Sequence, residues 1–600
     1  MRFIVAVVVV VLAAVMVALG FAQRTVFAPP PSVSSQVDTS DSDATVTVVP
    51  ASALHGHDGR QTVSVSGGDT AFAAYGRTSD VLGWVGDASY NEVEYDQTTG
   101  ELASRTVAGD TTEVPDPTDS DLWFDQFTGS DLTFSLDAPD DVSLVIVSDG
   151  TQPAPADVRI TWPLSTATPL AGPLIVGGLV VLLIGIGLYV WAILHHRRTR
   201  GPRRRSGDGK RPRLSRRAGR KAVKALDAAG TETLAPGRGR ARGIRRLVAV
   251  APIVLVSSLA LSACTADYWP QQAPAAGSDS ATPTPTPTST DGTESGDQGT
   301  ALQPPVISVA QAKRIVERIS ATATEADASL NADLAATRFT GPALEQRQAN
   351  YTIRSKDAAA AAPLAIPTGT VTLTLPQQAD SWPRSAFVVV QDADTSVAPV
   401  ALTLEQETAR DPYKVEYAVS LQTQTPLTVA PASIGAARLS PDVKLLKLQP
   451  DQLAEAYGDI LRNGDESQYA AQFQTDGDSL REKIGKAYKD AKRAALPTTA
   501  SIDYTSQADG ETPVAFATND AGAIVSVALN EIETVKPTAT GAKVNPEGTV
   551  KTLLGLDESS KGIEATYGVE LLFSVPPVGS DDPIVLLGFS QALTSAKELP

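Results

Sequence analysis

Three uncharged apolar stretches decide what this chain can be. Residues 3–22 (FIVAVVVVVLAAVMVALGFA) run for 20 positions without a charge, residues 174–194 (LIVGGLVVLLIGIGLYVWAIL) for 21 and residues 247–263 (LVAVAPIVLVSSLALSA) for 17. A helix of about 20 apolar residues crosses the ~30 Å hydrocarbon core of a bilayer, so the first two qualify and the third is short but possible. The polar remainder divides between them by charge. From Arg197 to Arg246 there are 19 Lys and Arg against three acids, whereas the whole chain is net −18. Segments of such opposite sign belong on opposite sides of a membrane. Basic loops beside spans stay cytoplasmic, which places residues 195–246 inside and residues 23–170 and 264–600 outside.

The layout follows. Residues 1–22 are a transmembrane helix or signal anchor, and Gly20-Phe21-Ala22 also supplies the small residues of a signal peptide cleavage site. Gly177, Gly178, Gly185 and Gly187 in the second span leave room for close helix packing. The basic loop has no aromatic residue on which a base could stack. Its expected partners are anionic lipid headgroups, not nucleic acid.

A single cysteine excludes a disulfide framework, an iron–sulfur cluster and a Cys-rich zinc module. With histidine only at positions 55, 57, 195 and 196, residues 264–600 cannot hold a Ser-His-Asp or Cys-His mechanism. Cys264 itself stands in an informative place. Arg242, Arg245 and Arg246 precede the third apolar run, which ends Leu261-Ser262-Ala263-Cys264. These residues resemble the lipobox of bacterial lipoproteins. The resemblance implies a diacylglycerol modification on the Cys264 thiol and a signal peptidase cut just before it. Residues 265–305 then form a Pro/Thr/Ser-rich tether with no apolar periodicity, extended through TPTPTPT at 282–288. Such a lipobox is internal here, whereas the family carries it at the N-terminus. Three arrangements stay open: a chain cut into two anchored pieces, an uncut three-span protein, or two genes joined in one frame. Together with an Ala/Thr/Asp/Arg-rich, Lys-poor composition, these features are similar to actinobacterial cell-envelope lipoproteins of unknown function.

Residues 40–166 read as an all-β, sandwich-like domain, with short β-prone runs punctuated by Gly, Asp and Pro. Trp84, Trp123 and Trp162 are expected in its core, and His55-Gly56-His57 offers two weak metal-ligand candidates. Residues 306–445 and 446–600 read as two α+β units, each with helices first and four or five strands after. Ser308 and Gln311 form a capping box before the first helix. This order of elements resembles tandem cystatin-like or NTF2-like units. The expected fold class is therefore a multi-domain membrane protein, with transmembrane helices, a β domain and a tandem α+β region.

Candidate chemistry is sparse. The run 387–395 (FVVVQDADT) resembles the strand-then-DxD element of GT-A glycosyltransferases. That resemblance implies that Asp392 and Asp394 hold a divalent metal against a sugar-nucleotide diphosphate. The same residues suit a hairpin turn, and Asp41-Ser42-Asp43 and Asp119-Ser120-Asp121 match DxD equally well. No P-loop, Gly-rich dinucleotide loop, HExxH or GxSxG pattern is present. The expectation is a membrane-anchored extracytoplasmic binding or assembly protein of the cell envelope, without cofactor or catalytic residues. Its partners are membrane lipids and an envelope protein or polymer. The competing expectation is the DxD glycosyltransferase.

Overall fold

The structure is a computed structural model that describes residues 2–199, 304–422 and 428–600. Two of its helices are long and apolar enough to cross a membrane, spanning Phe3–Thr25 and Ala171–Arg197. They belong to α1 (Arg2–Thr25) and α4 (Ala171–Thr199). The two run antiparallel, with the Phe3 ring edge-on to Tyr189 at 5.2 Å and Gly20 against Ile175. Small residues recur at every seventh position on both sides of the seam: Ala6, Ala13 and Gly20 on α1, and Ala171, Gly178, Gly185 and Ala192 on α4. A repeat of seven keeps one stripe of each helix facing its partner. A Cβ at Gly178 would lie 2.7 Å from Val17 Cγ2, and one at Gly185 would lie 2.8 Å from Val10 Cγ2, whereas Gly187 faces open space. Lipid tails are as apolar as leucine, so this close fit is what association in a bilayer can rest on.

The remaining described residues, Ser34–Trp162 and 304–600, form a second unit. Its N-terminal part has two sheets. One is four-stranded, β1 (Ser32–Asp38), β10 (Asp157–Pro163), β3 (Gln61–Ser66) and β8 (Leu132–Leu136) in that order. The other is six-stranded, ordered β6 (Glu101–Val107), β5 (Tyr90–Asp96), β2 (Val46–Val49), β9 (Val142–Val147), β4 (Ala71–Arg77) and β7 (Asp125–Gly129). Trp84, Trp123 and Trp162 are all buried, as expected of core residues. Burial leaves each indole N–H needing a partner. The Trp123 N–H donates to Pro117 O (2.8 Å) and the Trp162 N–H to Leu54 O (2.6 Å). The domain is β-rich and not purely β, since α2 (Ala51–Leu54) and α3 (Thr78–Val85) interrupt it and β2 pairs parallel with β5. A parallel pair needs a crossover, and α2, β3, β4 and α3 intervene between its two strands.

The C-terminal part opens on α5 (Val309–Ser329). The Gln311 N–H donates to Ser308 Oγ and the Ser308 N–H to Gln311 Oε1, closing the capping box. Then come α6 (Ala332–Ala336), α7 (Gly341–Lys356), β11 (Thr370–Pro376), β12 (Arg384–Gln391), β13 (Val400–Gln406) and β14 (Lys414–Leu421). A two-residue β15 (Arg438–Leu439) leads to α8 (Pro450–Asn463). Next come α9 (Ser479–Ile484) and α10 (Lys486–Ala495), separated at Gly485. β16 (Ala500–Ala508), β17 (Val514–Ala517), β18 (Ala523–Pro537), α11 (Gly548–Leu554), β19 (Ile563–Val575) and β20 (Val585–Glu598) complete it.

The two α+β halves do not keep separate sheets. One path runs β11-β12-β13-β14-β20-β19-β18-β17-β15, with β16 added on β18. Its ends meet again, because the Gln378 N–H donates to Ala436 O and the Ala436 N–H to Pro376 O. Closing the ends in this way takes up part of the backbone hydrogen-bonding capacity that an open edge would offer. Leu375, Phe387, Val419, Phe516, Ile524 and Leu572, drawn from strands all round the path, form one core between them. α5 and α7 cover the first half with a core of their own, and α8 covers the second.

The β domain docks on the first half through two buried aspartates. Asp80, fully buried, takes both Arg77 (Nε and Nη2, 3.0 Å each) and Arg384 Nη1 (2.6 Å). Asp121 takes Arg338 Nη1 (2.5 Å), Arg318 Nη1 (3.1 Å) and the Tyr413 N–H (2.8 Å). Around them, Arg314 donates to the carbonyls of Trp123 and Phe124, and Arg410 to those of Trp84 and Val85. A Cβ at Gly83 would stand 2.6 Å from the Trp382 ring, so only glycine lets α3 come this close. The Asp119-Ser120-Asp121 triplet thus serves the packing of one domain on another.

Candidate functional site

An opening lies where the two α+β halves join. β14 and β20 pair only at Ser420↔Phe589 and Leu421↔Gly588. From there β20 follows β19 to Glu598 while β14 follows β13 back to Lys414, so the strands part. α7 sits across the wedge: Gln346 accepts from the Ser590 hydroxyl (2.9 Å) and donates to Gly568 O (3.3 Å). The parting leaves the Ala418 N–H without a strand partner, and an unpaired buried N–H is costly. The Glu570 carboxylate, extending from β19, takes it at 2.5 Å.

Glu570 is almost wholly buried and lines a cavity of about 440 Å³ beneath α7 and the 360–364 loop. Burial pushes its carboxyl up to about 8, with the Ala418 hydrogen bond and the Arg347 charge opposing. At pH 7 the group is mostly neutral and presents an O–H donor. Arg347 is occupied by Asp327 (2.6 and 2.7 Å) and Leu364 O (2.8 Å). Ser420, Thr549 and Gln591 add uncharged polar groups to the lining, and Ala343, Leu364 and Leu593 add apolar wall.

A second cavity of about 350 Å³ adjoins the first, and both are lined by Thr549, Gln591, Ala592 and Leu593. Its far wall is aromatic and ionic: Tyr488, Tyr504 and Tyr567, with Lys489 paired to Glu531 and Lys492 to Glu533. Burial lowers the Lys489 ammonium, while Glu531 acts to hold the proton on. Lys492 lies 5.5 Å from the centre of the Tyr488 ring, and Tyr488 is the exposed member of the three. The buried Tyr504 hydroxyl has no hydrogen-bond partner among the described residues. The pair of cavities therefore makes a two-lobed cleft with a neutral hydrogen-bonding lobe and an aromatic one. Clefts of this size suit small organic groups or short stretches of polymer.

The residues singled out from the sequence lie elsewhere. Asp392 and Asp394 stand in the exposed loop between β12 and β13, where Asp392 accepts the Asp394 N–H and Asp394 accepts the N–H and hydroxyl of Ser396. The two bonds from Ser396 hold the Asp394 carboxyl below its usual range. His55 bridges Ala51 O and Ala138 O, and His57 bonds the Tyr95 hydroxyl. Among the described residues no three His, Cys, Asp or Glu side chains converge to hold a metal. Cys264 and the lipobox residues Leu261, Ser262 and Ala263 lie outside the described residues, as do the third apolar span and nearly all of the tether. Nothing local in the sequence marks Glu570, since the N–H that it takes belongs to Ala418, 152 residues earlier in the chain.

Residues 303–598 match the model of a family described as a domain of unknown function, DUF8094. No curated protein and no solved structure matches the chain.

Proposed function

We propose that this chain is a membrane-anchored, extracytoplasmic binding protein of the bacterial cell envelope, and that its ligand lies in the cleft between the two α+β halves. The observation that carries this reading is the pair of adjoining cavities over the buried, proton-holding Glu570. Uncharged donors and acceptors in one lobe and tyrosine faces in the other suit a neutral, hydroxyl- or amide-rich ligand, such as a stretch of envelope polymer. In this reading the helices at Phe3–Thr25 and Ala171–Arg197 are spans. The basic loop is cytoplasmic, and Cys264 carries diacylglycerol that keeps the cleft near the membrane. The helix-then-strand order of each half is what supports the likeness to cystatin-like or NTF2-like units.

Calorimetric titration of the detergent-solubilised protein with neutral oligosaccharides, and with short peptides, tests the ligand site. Binding of a neutral ligand to the wild type, lost when Ala592→Trp fills the neck shared by both lobes, is the expected result. Binding that survives Ala592→Trp, or no binding by either class, overturns it. An immunoblot of C-terminally tagged protein beside Cys264→Ala tests the anchor. Wild type should run at roughly 35 kDa, in proportion to 337 of 600 residues and 62.5 kDa, and the variant at full length.

A further inference from the structure

We infer that residues 34–162 and 304–600 are two parts of one ectodomain that stay together without the peptide connection between them. The partner that fits the face formed by α5, Arg338, Arg384 and Arg410 is therefore the chain's own β domain, attached or severed.

Asp80 and Asp121 are both buried, and so are Arg77, Arg338 and Arg384. Each aspartate is held in part by arginines from the other side of the junction, Arg384 for Asp80 and Arg338 with Arg318 for Asp121. Pulling the parts asunder leaves Asp121, Arg338 and Arg384 without their ionic partners and Asp80 with Arg77 alone, which buried ion pairs resist strongly. The backbone is engaged too. Arg77 donates to Pro305 O and Val306 O, and Gln311 to Leu122 O. Arg314, Arg318 and Arg410 place their guanidinium groups on successive carbonyls of 118–124 and 84–85. Arginine's planar fork reads such an array more specifically than a point charge can. Apolar packing runs through the same junction, with Ala409 and Trp382 joining the core that holds Trp84 and Trp123. This is the make-up of a lasting interface, with aromatic and arginine anchors at a buried centre.

The consequence concerns the connection, residues 163–303, in which Cys264 lies. A cut before Cys264 would separate the chain into two pieces but would not separate the ectodomain. The test uses the full chain with a site-specific protease sequence inserted after Gly296, beyond Cys264, so that cleavage also detaches the C-terminal piece from any lipid. Outer-face-exposed membranes are treated with the protease, sedimented and probed for a C-terminal tag. The expected result is that the cleaved piece sediments with the membranes. In the Arg314→Ala/Arg318→Ala variant it should pass to the supernatant, with retention weakened about a hundredfold or more. Circular dichroism of the released variant, unchanged from that of wild type, keeps loss of folding apart from loss of docking. Release of the wild-type piece overturns the inference. Retention of the variant overturns it as well, because the piece is then held by something other than this junction.

Discussion

Replacing Glu570 with glutamine should stabilise the protein near neutral pH and leave it unchanged in acid. The carboxyl is raised from 4.5 to about 8 by burial beneath α7. In the unfolded chain it ionises near its ordinary value, so between about pH 4.5 and 8 the unfolded state releases a proton that the folded state keeps. Stability from this group is thus fully present below about pH 4.5 and is lost as pH rises, with the loss complete just above about pH 8. At about 1.4 kcal/mol per unit, the loss amounts to roughly 4 kcal/mol by about pH 7.5, an upper figure because water entering the cavity solvates the ion. Glutamine keeps the carbonyl that accepts the Ala418 N–H and cannot ionise. The assay is urea unfolding of wild type and Glu570→Gln at several pH values from about 4.5 to about 8.5, followed by circular dichroism. Other buried acids, Glu416 among them, titrate in both proteins and cancel in the difference. The difference should be near zero at the acid end and widen to several kcal/mol by about pH 8. A difference that stays flat across this range refutes the assignment of a buried neutral carboxyl at the head of the cleft.

Two further outcomes follow from the buried charges and the helix seam. Asp80→Leu strands Arg384 and leaves Arg77 with backbone carbonyls alone in a buried junction, at a cost of about 3–5 kcal/mol in urea unfolding. The double variant Asp80→Leu/Arg384→Leu should recover part of that loss, and equal costs for single and double variants would count against an orphaned charge as the cause. Gly178→Leu with Gly185→Leu should push α1 away from α4, because side chains there meet Val17 and Val10. A photocrosslinker at Met16 should then capture α4 several-fold less often than it does in the parent protein.

Much of the second unit was legible because its elements are local in origin. The capping box at Ser308 and Gln311 forms as the spacing indicates. β11, β12 and β13 are rich in β-branched residues and bounded by turn residues, which leaves few alternatives to a strand. Glycines 178 and 185 face the partner helix, whereas Gly187 does not, a distinction drawn by the seven-residue spacing that the first two share with Ala171 and Ala192. What the sequence concealed is long-range. α3, with its buried Trp84 and Asp80, owes its helical form to docking against β9 and the first α+β half, not to propensity. The closing of the ten-stranded path rests on a few hydrogen bonds between residues 376–378 and Ala436. The cleft exists because β14 and β20 part, and strand divergence leaves no trace in composition.

The position of β20 sets the order in which this protein can be made. The last strand of this sheet in chain order, Val585–Glu598, lies in the interior of the sheet path between β14 and β19. Until it emerges, the first half presents β14 as an open edge and the second presents β19, each a template for pairing with another chain. A chain ended before Val585 would be no slightly shortened protein but two unfinished sheets with adhesive margins. Delaying folding until β20 has been made would therefore favour this fold, and termination before or within that strand should yield aggregates in place of a working fragment.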